Sequence, residues 1–140
     1  MLLTVVDYGV GNLRSIAKSI EKANSDNNLN YSVKVSSDVN DVKKSDKIVL
    51  PGQGSFKACK SGIDNIKGLQ EELNESVLVK KKPIYGICAG MQLFATKGFE
   101  EEETSGLNWI PGEVVKLDIK SSNLKIPHMG WNELKIENNS

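Results

Sequence analysis

The chain opens on a short apolar run, Leu2–Asp7 (LLTVVD), that closes on an acid. A run of this length bounded by turn residues has the pattern of a buried strand. Tyr8–Asn12 (YGVGN) follows as a glycine loop. Leu13, Ile16, Ala17 and Ile20 then recur at helical spacing, with Asn12 placed to cap them. Residues 24–30 (NSDNNLN) form a turn cluster. Tyr31–Ser37 alternates as a strand does, Asp38–Ser45 reads as a short helix or turn, and Asp46–Gly52 (DKIVLPG) is a third strand. Residues 53–82 are mostly helical, with breaks expected near Gly62 and Gly68. A fourth strand, Pro83–Cys88 (PIYGIC), leads into a helix predicted over Ala89–Gly98. Beyond the acidic FEEEETSG, two further strands are predicted at Gly112–Ile119 (GEVVKLDI) and at residues 132–136 (NELKI).

Strand and helix thus alternate at least four times, which argues for an α/β fold with a doubly wound, mostly parallel sheet and flanking helices. No repeat or linker interrupts it, so residues 1–140 are expected to form a single domain. Ligands on such sheets bind outside the carboxyl ends of the strands. Three loops with unusual chemistry leave those ends: Tyr8–Asn12, Pro51–Phe56 and Cys88–Gly90. Though distant in sequence, they are predicted to share one edge of one sheet.

Composition narrows the function classes. The 140 residues carry 18 basic and 18 acidic side chains, giving no electrostatic case for nucleic acid or an anionic membrane. No apolar run approaches the roughly 18 residues of a membrane span. The N-terminus has no basic region before Asp7, so no signal peptide is read there and a cytoplasmic location is expected. The two cysteines, Cys59 and Cys88, lie in differently patterned segments. They read as one packing residue (Cys59) and one candidate for chemistry (Cys88) rather than as a disulfide. Tyr8–Asn12 lacks the G-x-G-x-x-G fingerprint of a dinucleotide site, and neither a cofactor nor a metal is expected.

Gly86-Ile87-Cys88-Ala89-Gly90 has the form of a nucleophile elbow. The flanking glycines permit a sharp turn that pushes Cys88 out at a strand end and a helix N-terminus, where free amides and the helix dipole favour a thiolate. The Ala89 amide can face a developing oxyanion, and a second donor can come from the Gly52–Gln53 backbone of PGQGSF. The competing reading is that Cys88 is a small buried hydrophobe in a tight turn.

Together these motifs resemble a known family. YGICAGMQLF is similar to the elbow of class I glutamine amidotransferases, and PGQGSF to their oxyanion loop. The start VVDYGVGNLRSI, the P-G-x-G form of the loop and IPHMGWNEL occur together in one branch, the glutaminase subunit of imidazole glycerol phosphate synthase in histidine biosynthesis. The resemblance spans Leu2 to about Glu133. It implies a flavodoxin-like fold in which Cys88 attacks the side-chain amide of glutamine and forms a glutamyl thioester. Ammonia would pass into a (β/α)₈-barrel cyclase partner. By position, Gln92 and Glu100 would contact glutamine, although the run Glu100–Glu103 leaves the glutamate ambiguous and a solvated acidic loop is the alternative. Gly52, Gln53 and Ala89 would form the oxyanion hole. Asn12, His128, Met129, Trp131 and Asn132 would face the partner; for Trp131 the alternative is a core position.

His128 is the one histidine of the sequence. A thiol nucleophile ordinarily pairs with a histidine base. In the family, however, the base lies in a later H-x-E pair, and no H-x-E occurs in this sequence. The resemblance therefore implies a domain incomplete at its C-terminus, lacking its last strands. The 140 residues alone are expected to be inactive, with the catalytic histidine and glutamate not among them. Two other readings stay open: another cysteine-elbow hydrolase of the same fold, and a non-catalytic docking subunit for a barrel partner.

Overall fold

The computed structural model describes residues 1–118, 126, 127, 129–133 and 135. Its first half is four parallel strands, β1 (Leu2–Val6), β2 (Ser32–Ser36), β3 (Lys47–Leu50) and β4 (Ile84–Gly86), in the order β2-β1-β3-β4. The order reverses between β1 and β3. That switch point is where open α/β sheets place their ligands. Between the strands run α1 (Leu13–Asp26), α2 (Val39–Lys44), α3 (Phe56–Asp64) and α4 (Leu69–Asn74), the last continuing through a π-helical turn at Glu75–Val79.

The two sheet faces are covered unequally. Val6, Ile48 and Leu50 join Val42, Phe56, Cys59, Ile63, Leu69 and Leu73 in one buried cluster, so α2, α3 and α4 carry the core. The strand residues of opposite phase, Val5 and Val49, are buried outside that cluster. Helix α1 buries none of its residues. Ile16, Ile20 and Ala23 line an apolar groove with Tyr85 and Ile87 instead.

The structure departs from the predicted elements at several places. Helix α1 runs on to Asp26, through the first half of the predicted turn cluster. Asn24 stays helical because its side-chain amide bridges ahead to the backbone of Tyr31, donating to the carbonyl at 2.9 Å and accepting from the amide at 3.1 Å. Gly62 does not break α3. A Cβ there would come within 2.5 Å of the Tyr8 carbonyl, so this glycine permits close packing within a continuous helix. Helix α3 ends at Asp64, two residues after Gly62, and the break runs to Gly68, whose φ of +83° ends the connection and starts α4.

The largest difference follows the elbow. Helix α5 has only four residues, Ala89–Gln92, and the rest of the predicted helix is strand β5 (Ala95–Phe99). Here β5 pairs antiparallel with β6 (Glu103–Ser105), inside the acidic stretch, and parallel with β7 (Ile110–Val114). Returning amides capture the carbonyls a helix would have used. Leu107 donates to Leu93 at 2.7 Å, Trp109 to Phe94 at 2.9 Å and Gly106 to Thr96 at 2.8 Å. Strand β7 begins two residues before the predicted Gly112 and ends at Val114. The predicted strand at residues 132–136 lies partly outside the described residues, and Asn132 and Glu133 are not in a strand.

Candidate active site

Strand β4 ends at Gly86, and the chain turns through Cys88 into α5. Cys88 takes φ 55°, ψ −122°, a conformation that L-residues with a Cβ rarely adopt. Holding such a residue costs about 1–3 kcal/mol and persists only where the surroundings fix it. The surroundings here are backbone. Ile87 donates to the Leu50 carbonyl at 3.0 Å, tying the elbow to the end of β3. A Cβ on Gly86 would lie 2.5 Å from Met91 Cα, and one on Gly90 would strike the carbonyl oxygens of Leu50 and Pro51. Both glycines are thus required by close approach. The outcome is an exposed thiol at the tip of a turn whose following residues, Ala89 and Gly90, are buried.

The Pro51–Phe56 loop packs directly on this turn. A Cβ on Gly52 would overlap the Gly90 nitrogen and sit 2.6 Å from the Ala89 carbonyl carbon. Gly54 has φ +97°, and Gln53 between the glycines is exposed. Ser55 then starts α3, its side chain accepting from the Ala58 amide at 3.2 Å. The third loop closes on the other side. The Tyr8 hydroxyl donates to the Pro51 carbonyl, and Gly11, at φ +96°, leaves room for the Pro51 ring. Tyr8–Asn12, Pro51–Phe56 and Cys88–Gly90 therefore meet at one sheet edge, at the ends of β1, β3 and β4.

Glu100, just past β5, reaches this junction from the second sheet. Its carboxylate accepts from the Phe56 amide at 2.7 Å, at the start of α3. Within the acidic run, Glu102 is engaged by Lys57 at 2.9 Å and Glu103 by Lys97 at 3.4 Å. Glu100 is thus the member that touches the loop beside Cys88. Gln92 ends α5 as an exposed residue, one helical turn beyond Cys88.

The remaining candidates are Asn12 and residues 128–132. Asn12 caps α1, its side-chain oxygen accepting from the Ser15 amide at 3.2 Å. Met129 and Trp131 are exposed, Trp131 completely. Asn132 is exposed beside it, and His128 lies outside the described residues. Sequence patterning assigned no role to Tyr8 and only packing to Cys59, yet both touch the loop. Cys59 is fully buried and directs its thiol at the Gln53 carbonyl, 3.6 Å away. The available signal was a tyrosine between an acid and a glycine in a loop otherwise built of small and polar residues.

Comparison with known proteins gives a consistent picture. Residues 9–121 match the SNO glutamine amidotransferase family. The chain is 48% identical over 136 residues to an imidazole glycerol phosphate synthase subunit HisH of Pelagibacter ubique, covering 97% of this chain and 64% of the relative. The subunits of the same name from Bradyrhizobium diazoefficiens (47%, covering 97% and 63%) and Rhodopseudomonas palustris (48%, covering 96% and 62%) are similar. The chain thus spans just under two thirds of the length of these relatives. Among the described residues, no helix is long and apolar enough to cross a membrane.

Proposed function

Since the chain belongs to the SNO glutamine amidotransferase family, we propose that the protein releases ammonia from glutamine at Cys88 as the glutaminase subunit of an imidazole glycerol phosphate synthase. The observation that carries this reading is the elbow. An exposed thiol is held at φ 55° on a turn packed against a glycine loop. Such a turn presents a nucleophile and surrounds it with backbone amides.

In the proposed reaction the Cys88 sulfur attacks the side-chain carbonyl carbon of glutamine. The C–S bond forms as the carbonyl oxygen takes up negative charge beside the Ala89 and Gly52–Gln53 backbone, which acts as the oxyanion hole. The tetrahedral intermediate expels ammonia, which leaves with a proton supplied by a general acid. Water then hydrolyses the thioester, giving glutamate and the free thiol. Gln92 and Glu100 are the proposed contacts to glutamine, because both lie beside the elbow. The general base is proposed to come from the part of the relatives' length that this chain does not span.

The proposed partner is a (β/α)₈-barrel cyclase that takes up the ammonia to form imidazole glycerol phosphate. Asn12, His128, Met129, Trp131 and Asn132 are the proposed contact residues, supported by the exposure of Met129 and the full exposure of Trp131. Aromatic residues of this kind anchor interfaces. The proposed compartment is the cytoplasm, where the two free thiols persist.

The test begins with the coding sequence beyond codon 140, where an open frame containing an H-x-E pair is expected. The full-length protein, purified with its cyclase, should hydrolyse glutamine, and Cys88→Ala should lose on the order of 10⁴-fold in kcat. Turnover that survives Cys88→Ala would remove the thioester mechanism. Trp131→Ala should weaken complex formation by about tenfold or more, and unchanged affinity would move the interface elsewhere. A complex that forms normally but never turns over glutamine would favour a docking subunit without catalysis.

A further inference from the structure

The Gly52–Gly54 centre of the Pro51–Phe56 loop has no buried side chain to hold it, whereas Pro51 and Phe56 at its ends are buried. Gly52 and Gly54 lack side chains, and Gln53 between them is exposed. Glycine has the most backbone freedom to lose on ordering. A loop meant to aim an amide at a developing charge must nonetheless be fixed before the reaction, because donors that reorganise during it contribute little.

The fixing groups come from two other elements. Tyr8, in the loop after β1, is buried and donates its hydroxyl hydrogen to the Pro51 carbonyl. Cys59, fully buried in α3, directs its thiol at the Gln53 carbonyl at 3.6 Å. These carbonyls belong to the peptide units on either side of the Gly52–Gln53 amide. Gly62 makes the arrangement possible, since a Cβ there would come within 2.8 Å of the Tyr8 ring.

We propose that Tyr8 and Cys59 are positioning residues for the oxyanion loop, fixing the two peptide planes that flank the Gly52–Gln53 amide. This rests on the glutaminase reading given above. Neither side chain touches substrate; both act through the loop. Their protonation suits the task. Burial, and then the neighbouring Cys59, pushes the Tyr8 phenol upward, and burial pushes the Cys59 thiol up as well. Both groups therefore remain hydrogen-bond donors at neutral pH.

The experiment uses the full-length protein with its cyclase and compares wild type with Tyr8→Phe, Cys59→Ala and Cys59→Ser. Three quantities are read: kcat, KM for glutamine, and the rate of Cys88 alkylation by iodoacetamide, followed by peptide mass spectrometry. Alkylation displaces iodide without building an oxyanion, so it reports the thiol and not the loop. Tyr8→Phe should lower kcat by about 10–10²-fold, with KM and alkylation each within about twofold of wild type. Cys59→Ala should lower kcat by about threefold to tenfold, and Cys59→Ser, which keeps a donor, should recover most of that loss.

A wild-type kcat in Tyr8→Phe overturns the proposal. So does a parallel fall in kcat and alkylation, which would mean that the whole site had collapsed. If Tyr8→Phe does not fold, the Cys59 pair decides, and equal kcat in Cys59→Ala and Cys59→Ser counts against the clamp. Failure of the glutaminase reading looks different: wild type and Cys88→Ala would then turn over glutamine equally, or not at all.

Discussion

The junction of the Pro51–Phe56 loop with the Cys88 elbow is shaped by backbone packed on backbone, with the side chains of Tyr8, Cys59 and Glu100 tied to the loop around it. Gly52, Gly86 and Gly90 each stand where a Cβ would collide with main-chain atoms. The three-stranded sheet behind it is anchored to the rest of the molecule by side chains at its start. Phe94 and Trp109 pack with ring centroids 5.0 Å apart, and the Trp109 indole N–H donates to Asn74 on α4 at 2.7 Å. The two regions meet where the Phe56 ring lies 2.7 Å from the position a Cβ on Gly98 would take. A region fixed by backbone sterics tolerates no added atom, and its geometry is also its chemistry. A region fixed by side-chain contacts can lose one of them and pay only in stability.

Gly90→Val tests the first half of that contrast and should have the largest effect. Its branched side chain would have to displace the carbonyls of Leu50 and Pro51, at the end of β3 and the start of the loop. The expected loss is roughly 3–5 kcal/mol, the range reserved for strong steric insults. In whatever fraction folds, glutamine turnover should fall as well, because Gly52 rests on the same residue. Denaturant unfolding and a steady-state assay of the full-length protein measure the two effects. Wild-type values in both would mean that the elbow is not where the structure places it.

This contrast also explains what could be read from the sequence. The elbow was legible because Gly86-x-Cys88-x-Gly90 is a local steric requirement, and so was the cap at Asn12, which depends on neighbours three residues away. The parallel order was legible from the alternation of apolar strands with helical spacing. Strand β5 was not. Ala95, Thr96 and Lys97 carry no decisive preference, and the segment becomes a strand because Asn108 returns to take the Ala95 carbonyl and β7 pairs alongside. That pairing is set by contacts more than ten residues distant, which local pattern does not encode. Gly62 misled for a related reason. A glycine required by a neighbouring loop looks, in sequence alone, the same as one that ends a helix. Of the candidate site, Cys88 and its two loops could be placed from sequence, whereas the link from Tyr8 to Pro51 spans 43 residues and has no sequence signature.

Trp109→Phe tests the other half and should have an intermediate effect. The ring stack against Phe94 is largely kept, while the hydrogen bond to Asn74 is lost and its oxygen is left without that donor. Stability should fall by about 1–2 kcal/mol. Glutamine turnover per folded molecule should stay within about twofold of wild type, since the Phe94 ring that packs on Gly86 of the elbow is retained. A fall in kcat comparable to that of Gly90→Val would show that the second sheet holds the elbow in place, and the two regions would no longer be separable.

The smallest effect should come from the charged side of the second sheet. Lys97 on β5 lies between Glu103 on β6, at 3.4 Å, and Glu113 on β7, at 3.5 Å, and its ammonium sits 4.8 Å from the centre of the Phe99 ring. These contacts join all three strands, which invites the idea that charge holds the sheet together. Both carboxylates are well exposed, however, and exposed pairs gain little once side-chain ordering and solvent screening are counted. Lys97→Gln should lower the melting temperature by less than Trp109→Phe does at low salt. At about 1 M salt, where the screening length is roughly 3 Å, the difference from wild type should nearly vanish. A Lys97→Gln loss larger than that of Trp109→Phe, and unchanged in high salt, would reverse the ranking and make the ion pairs the structural bond of this sheet.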